Sequence, residues 1–146
     1  MGIRTAGHAF ALSPGQKAPA GGADWPTWDA EVIGGNYSGH YRVTPTTVAT
    51  ITAAKPKDPI LRGVTLPFPF TYQLYKVSPL RPDAQPLLMG TLPGETPEPV
   101  AWTFTRQDGG RTFYTSLGAP GDFKNPAFKQ LLRNGILWAA GRLKSK

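Results

Sequence analysis

Cysteine is absent from all 146 residues. That absence excludes a disulfide framework, a thiolate zinc site and a cysteine nucleophile, and it fits either redox compartment. No apolar run approaches the ~20 residues needed to cross a bilayer, so no membrane partner is expected. The N-terminus carries Arg4 and then polar turn residues where a signal peptide would have an apolar stretch. As given, the sequence has no signal peptide and reads by default as cytoplasmic. Acidic residues are few, nine against sixteen Lys and Arg, for a net charge of +7. The cations are scattered, apart from Arg142, Lys144 and Lys146 behind a helix C-terminus, where positive charge is favoured anyway. That distribution argues against a nucleic-acid partner. Only His8 and His40 offer imidazoles, with Asp24, Asp29 or Asp122 as oxygens. Their spacing carries no metal signature, and no metal site is expected.

What the chain does contain is glycine (17) and proline (16), which imply short elements and many turns, with 40% hydrophobic residues to form a core. The length fits one domain over residues 1–146. Gly2-Ile3 reads as the end of a buried strand running into a polar turn, Arg4 to His8. Residues 11–27 read as a Pro/Gly/Ala loop. A short apolar piece, Ala30 to Ile33, leads into Gly34-Gly35, where positive φ or a close backbone approach is expected. Residues 47–53, 70–77 and 85–92 read as strands, and Pro56 and Pro59 forbid helix in the connector between the first two.

The strongest local signal is a hairpin. Residues 99–106 place Val100, Trp102 and Phe104 on one face, Asp108-Gly109-Gly110 supplies the turn, and 111–118 returns. A helix follows. Asn125 caps it, Pro126 suits its first position, and Phe128, Leu131, Leu132, Ile136, Ala139 and Ala140 repeat at helical spacing until Gly141 stops it. A single helix covers part of one sheet face, so the other face is expected to expose apolar surface.

The segments GGNYSGH (34–40), DPILRGV (58–64), TYQLYKV (71–77), PVAWTFTRQDGGRTFYTSLG (99–118) and NPAFKQLLRNGILWAAG (125–141), in this order, resemble the ThuA-like (trehalose utilisation) family of the class I glutamine amidotransferase-like superfamily. The resemblance implies an α/β fold, a flavodoxin-like three-layer sandwich with a mostly parallel sheet between helices. It places this chain as the C-terminal two-thirds of such a domain, N-terminally truncated, ending in the hairpin and helix. A sheet with an uncovered face and a raw edge would then be unstable alone or form a homodimer across that edge.

The resemblance also places the opening turn at the amidotransferase nucleophile elbow, with Arg4 about where the cysteine would stand. Arginine stays charged and is no nucleophile, so glutaminase chemistry is excluded. Ligands of open α/β sheets bind beyond the carboxyl ends of the strands. Four groups are expected to converge there. Arg4, Thr5 and His8 offer anion or hydroxyl recognition; the alternative is an Arg4 ion pair and a turn-capping His8. Asn36, Tyr37 and His40 come next, His40 matching a regular histidine of the family and being the candidate catalytic group. At TYQLY, many relatives carry acidic residues where this chain has Tyr72 and Gln73. Gln73 can bond a hydroxyl but cannot transfer a proton, and Tyr75 reads as core. The last is Ser116, near Ala119, where relatives usually have histidine; Asp122 there reads as a cap. The resemblance implies a protein that acts on or binds a small carbohydrate or sugar derivative, and it names no cofactor. The alternative is a non-catalytic ligand-binding or interaction module, or an inactive fragment.

Overall fold

The computed structural model describes residues 1–6, 25–42 and 48–143. Its frame is a curled six-stranded sheet with a C-terminal helix. Strands β1 (Gly2–Ile3), β3 (Ala49–Ala53), β4 (Phe68–Phe70), β6 (Gln85–Thr91), β7 (Glu98–Thr105) and β8 (Arg111–Thr115) lie in the order β1-β8-β7-β6-β3-β4. Two short strands, β2 (Gly39–His40) and β5 (Tyr75–Lys76), pair separately. Only β1 with β8 is parallel; the other four pairings of the large sheet are antiparallel. The described strands therefore do not form the mostly parallel sheet expected.

The hairpin forms as its sequence dictates. Thr105 pairs with Arg111 and Ala101 with Thr115. Gly109 takes φ 79° in the turn, and the Asp108 carboxylate accepts the Gly110 N–H at 2.8 Å. Trp102 and Phe104 do share a face, but Val100 joins the larger core cluster, and β7 is buried on both sides. Burial on both sides removes the polar-out alternation that a half-exposed strand would show. In β6 the register slips around Pro86 and Leu88. Proline lacks the N–H a ladder needs, and the resulting irregularity lets the consecutive Leu87 and Leu88 both reach full burial.

Three expectations are corrected here. The strand expected over 70–77 is two strands in different sheets. Phe68 and Phe70 anchor β4 at the sheet edge, where Pro69 is tolerated, and the chain bends before Tyr75 starts β5. Second, the prolines of the connector do not prevent all helix. Asp58 caps a 3₁₀ turn, Pro59–Leu61, by accepting the Ile60 N–H at 2.9 Å, and Pro59 occupies the favoured first position. Third, the sheet face away from the helix is covered. A single wide helical turn, Asp29–Ile33, packs there with Tyr75, Val77 and Ala84 over Trp102, Phe104 and Tyr114. The Trp102 indole, with no measurable exposure, donates to the Ile33 carbonyl at 2.8 Å.

Helix α1 (Pro126–Ala139) starts where the cap predicts, with the Asn125 side chain accepting the Ala127 N–H at 2.9 Å. Its buried stripe is Ala127, Phe128, Leu131, Asn134 and Gly135, rotated from the expected one, and Ile136 is 48% exposed. Gly135 causes the rotation, because its missing side chain lets the helix press on the Phe113 ring of β8. Asn134 is satisfied inside the core. Its amide donates to the Ile60 and Arg62 carbonyls at 2.8 Å each, tying α1 to the 3₁₀ turn.

Candidate functional site

The site is built on the parallel pair β1 and β8, which register Ile3 beside Thr115 and end together. Just past that end Arg4 has φ 48°, a left-handed backbone rare for a residue with a side chain, and starts a 3₁₀ turn through Ala6. Two bonds hold it. The Tyr114 hydroxyl donates to the Arg4 carbonyl, and Arg4 Nη1 donates to the Ser116 carbonyl at 3.1 Å. The guanidinium then lies over two rings, 4.5 Å from the Tyr72 centroid and 4.6 Å from that of Tyr75. Gly2 belongs to this arrangement, since a Cβ there would stand 2.9 Å from the Tyr114 ring.

The second wall comes from the Gly34–Tyr41 segment. Gly34 takes φ 80°, and a Cβ on it would lie 2.6 Å from Phe104; a Cβ on Gly35 would meet Leu80 at 2.6 Å. Both properties expected of the glycine pair, positive φ and close approach, are present. The chain turns there and enters β2, where His40 registers with Tyr75 of β5. The imidazole is clamped on both nitrogens. Tyr37 Oη lies 2.7 Å from Nδ1, and Gln73 Nε2 lies 3.3 Å from Nε2. The imidazole thus has a polar partner at each nitrogen, the donor and acceptor roles following its tautomer. The Tyr37 ring meets Tyr75 edge-on at 4.7 Å. Burial pushes the Tyr75 phenol above its ordinary range, and the Arg4 guanidinium works against that shift.

Arg4, Tyr37, His40 and Gln73 are thus brought into one constellation, with Tyr72 and Tyr75 between them. Ser116 reaches it by its carbonyl, its own side chain being buried in the core. Thr5 and Asn36 are exposed on the flanking turns. His8 lies outside the described residues. Tyr75 is core, as expected, and also presents its ring to Arg4. Asp122 closes the turn after β8 by accepting the N–H groups of Gly118 and Ala119 at 2.7 and 2.9 Å.

Two supporting residues, Tyr114 and Glu98, escaped the sequence reading, and Asp29, weighed there only as a metal oxygen, has a different role. The buried Glu98 carboxylate accepts the N–H groups of Val77 and Ser78 at 3.0 and 2.9 Å, and so fixes the segment after β5. Asp29 accepts the Tyr37 N–H. A lone acid in an apolar strand was the available signal for Glu98. Among the described residues no group of three or more His, Asp or Glu gathers as a metal site, and no helix is long and apolar enough to cross a membrane.

A family model described as ThuA, trehalose utilisation, matches residues 7–139. The chain belongs to the ThuA family. A crystal structure of a protein described as ThuA-like, from Bacteroides uniformis and determined at 2.30 Å, superposes on this ThuA chain with a TM-score of 0.62. The two are 16% identical, over 82% of this chain and 53% of the other, so the likeness is one of mixed α/β fold. The chain spans about half the length of that relative. No curated protein matches it.

Proposed function

We propose that this ThuA-family chain binds a carbohydrate or sugar derivative beside Arg4, Tyr72 and His40. In this reading a sugar hydroxyl takes the place of the Gln73 amide, the longer of the two contacts, at His40 Nε2, and His40 moves a proton to or from it. The observation that carries the reading is the clamped imidazole. Tyr37 and Gln73 hold one ring orientation, which a proton-transfer or hydroxyl-binding histidine needs. The family's description, trehalose utilisation, supports the substrate class. Arg4 and Gln73 supply donors for hydroxyl oxygens, and the exposed Tyr72 ring supplies an apolar face. Glutaminase chemistry by a cysteine nucleophile is outside the proposal, since the sequence contains no cysteine.

A second reading, a binding module without turnover, is favoured by one feature. The group against His40 Nε2 is an amide, which cannot relay a proton. Incubation with trehalose, glucosides and their 3-keto forms, with product analysis and calorimetry, separates the two. Turnover abolished by His40→Ala supports the first. Binding without turnover in parent and variant alike supports the second. Neither binding nor turnover across the panel refutes both.

A further inference from the structure

A second concavity lies beside the hairpin turn, lined by residues other than Arg4, Tyr37, His40 and Gln73. It encloses about 390 Å³, within the roughly 300–1,000 Å³ usual for small-molecule sites. Trp25, Glu31, Arg81, Phe104, Arg106 and Asp108 line it. Trp25 is 41% exposed yet firmly placed. Its indole N–H is shared between Thr27 Oγ1 at 3.1 Å and Glu31 Oε2 at 3.0 Å, and its ring meets Trp28 edge-on at 5.1 Å. An indole held in one orientation with a face to solvent has already lost the side-chain freedom that binding would otherwise remove.

The polar rim is balanced. Among the described residues, Arg81 and Arg106 contribute two positive charges and Glu31 and Asp108 two negative ones, and Arg81 is itself paired with Asp83 at 3.1 Å. Arg106 is bidentate to Asp108 at 3.0 and 2.7 Å, and Arg81 lies over the Phe104 ring at 5.7 Å. Each carboxylate keeps lone pairs and each guanidinium keeps N–H groups beyond these contacts. Among the described residues the rim therefore offers donors and acceptors side by side, with both arginines already paired to carboxylates. An anion would meet Glu31 and Asp108, and a cation would meet the two arginines. A purely apolar ligand would leave the rim's polar groups unpaired. A neutral polyol ring matches all three conditions, with hydroxyls that both donate and accept and a C–H face for the indole.

We propose that this cavity is a second saccharide subsite, separate from the Arg4–His40 site, in which a neutral mono- or disaccharide stacks on Trp25 between Arg81 and the Arg106–Asp108 pair. The proposal stands on the cavity's own chemistry and survives if His40 proves to bind nothing. It is tested by titrating the full chain with trehalose and with maltose at millimolar concentrations while following the indole N–H signals by NMR. The Trp25 signal is assigned by its loss in Trp25→Ala.

In the parent, the Trp25 signal shifts saturably with at least one sugar. In Trp25→Ala, affinity measured on the remaining cavity signals falls by about tenfold or more. Asp108→Asn, which keeps the size of the side chain but unbalances the rim, weakens binding without moving the melting temperature by more than a degree or two. His40→Ala leaves the Trp25 shift unchanged. Three results overturn the proposal: no shift of Trp25 with either sugar, a shift abolished by His40→Ala, or a shift produced equally by inorganic phosphate. The second would assign the saccharide to the Arg4–His40 site alone; the third would make the cavity an anion site.

Discussion

Arg4 tests whether the elbow is strained. Its left-handed φ of 48° costs a residue with a Cβ ~1–2 kcal/mol, a cost glycine does not bear. Against it stand the bond from Nη1 to the Ser116 carbonyl and the stacking on Tyr72 and Tyr75. A charge-assisted hydrogen bond contributes ~1.5 kcal/mol and each half-exposed cation–π contact ~0.5 kcal/mol. Arg4→Ala loses these contacts and keeps the strained backbone, so it should destabilise by about 2–3 kcal/mol. Arg4→Gly loses the same contacts and recovers the strain, but adds ~0.5–1 kcal/mol of unfolded-chain entropy. The glycine variant should therefore be the more stable of the two by about 1 kcal/mol, or roughly 2–5 °C in melting temperature. Urea denaturation of parent and both variants measures this directly. Both variants lack the guanidinium, so ligand binding at this site should fall equally in each, whatever their stability. An alanine variant as stable as the glycine variant would show that the elbow stores no strain.

Two further predictions concern the core and the site. Gly135→Ala would stabilise an isolated helix by ~1 kcal/mol. Here the added methyl overlaps the Phe113 ring, and overpacking costs ~1–3 kcal/mol, so net of the helix gain the variant should lose up to about 2 kcal/mol by thermal or urea denaturation. Tyr75 predicts an alkaline effect. Burial raises its native pKa, so the fold favours the protonated phenol. The associated stability is complete below the ordinary tyrosine pKa of ~10 and is lost as pH rises through the raised native value. Tyrosinate absorbance should then show a component titrating above the ordinary range, smaller in Tyr75→Phe, with no counterpart at acid or neutral pH.

How much of this was legible beforehand differs by element. The hairpin was legible because its turn chemistry and its alternation agree within a few residues. The cap of α1 was legible because Asn125 and Pro126 act locally. The helix face was legible only in outline, since Gly135 matters through Phe113, twenty-two positions back on another element. Residues 70–77 misled because alternation says nothing about which sheet a strand joins. The face opposite α1 was expected to lie open, and the five-residue turn Asp29–Ile33 that covers it is too short to announce itself by periodicity. At the site, His40, Tyr37, Gln73 and Arg4 could be named from their segments, but the bonds between them could not. Tyr114 and Glu98 look like strand residues until the structure places their polar atoms on Arg4 and on the backbone after β5.

By itself the sequence determined what is local or chemical: no thiol chemistry, a glycine pair that turns the chain, and a capped helix. Tertiary structure alone decided which groups meet. The orientation of the His40 ring depends on an amide thirty-three residues away, and the posture of Arg4 depends on a carbonyl 112 residues away. Hydrogen bonds and ring contacts reach only a few ångströms, so they depend on where folding brings the chain and not on sequence spacing.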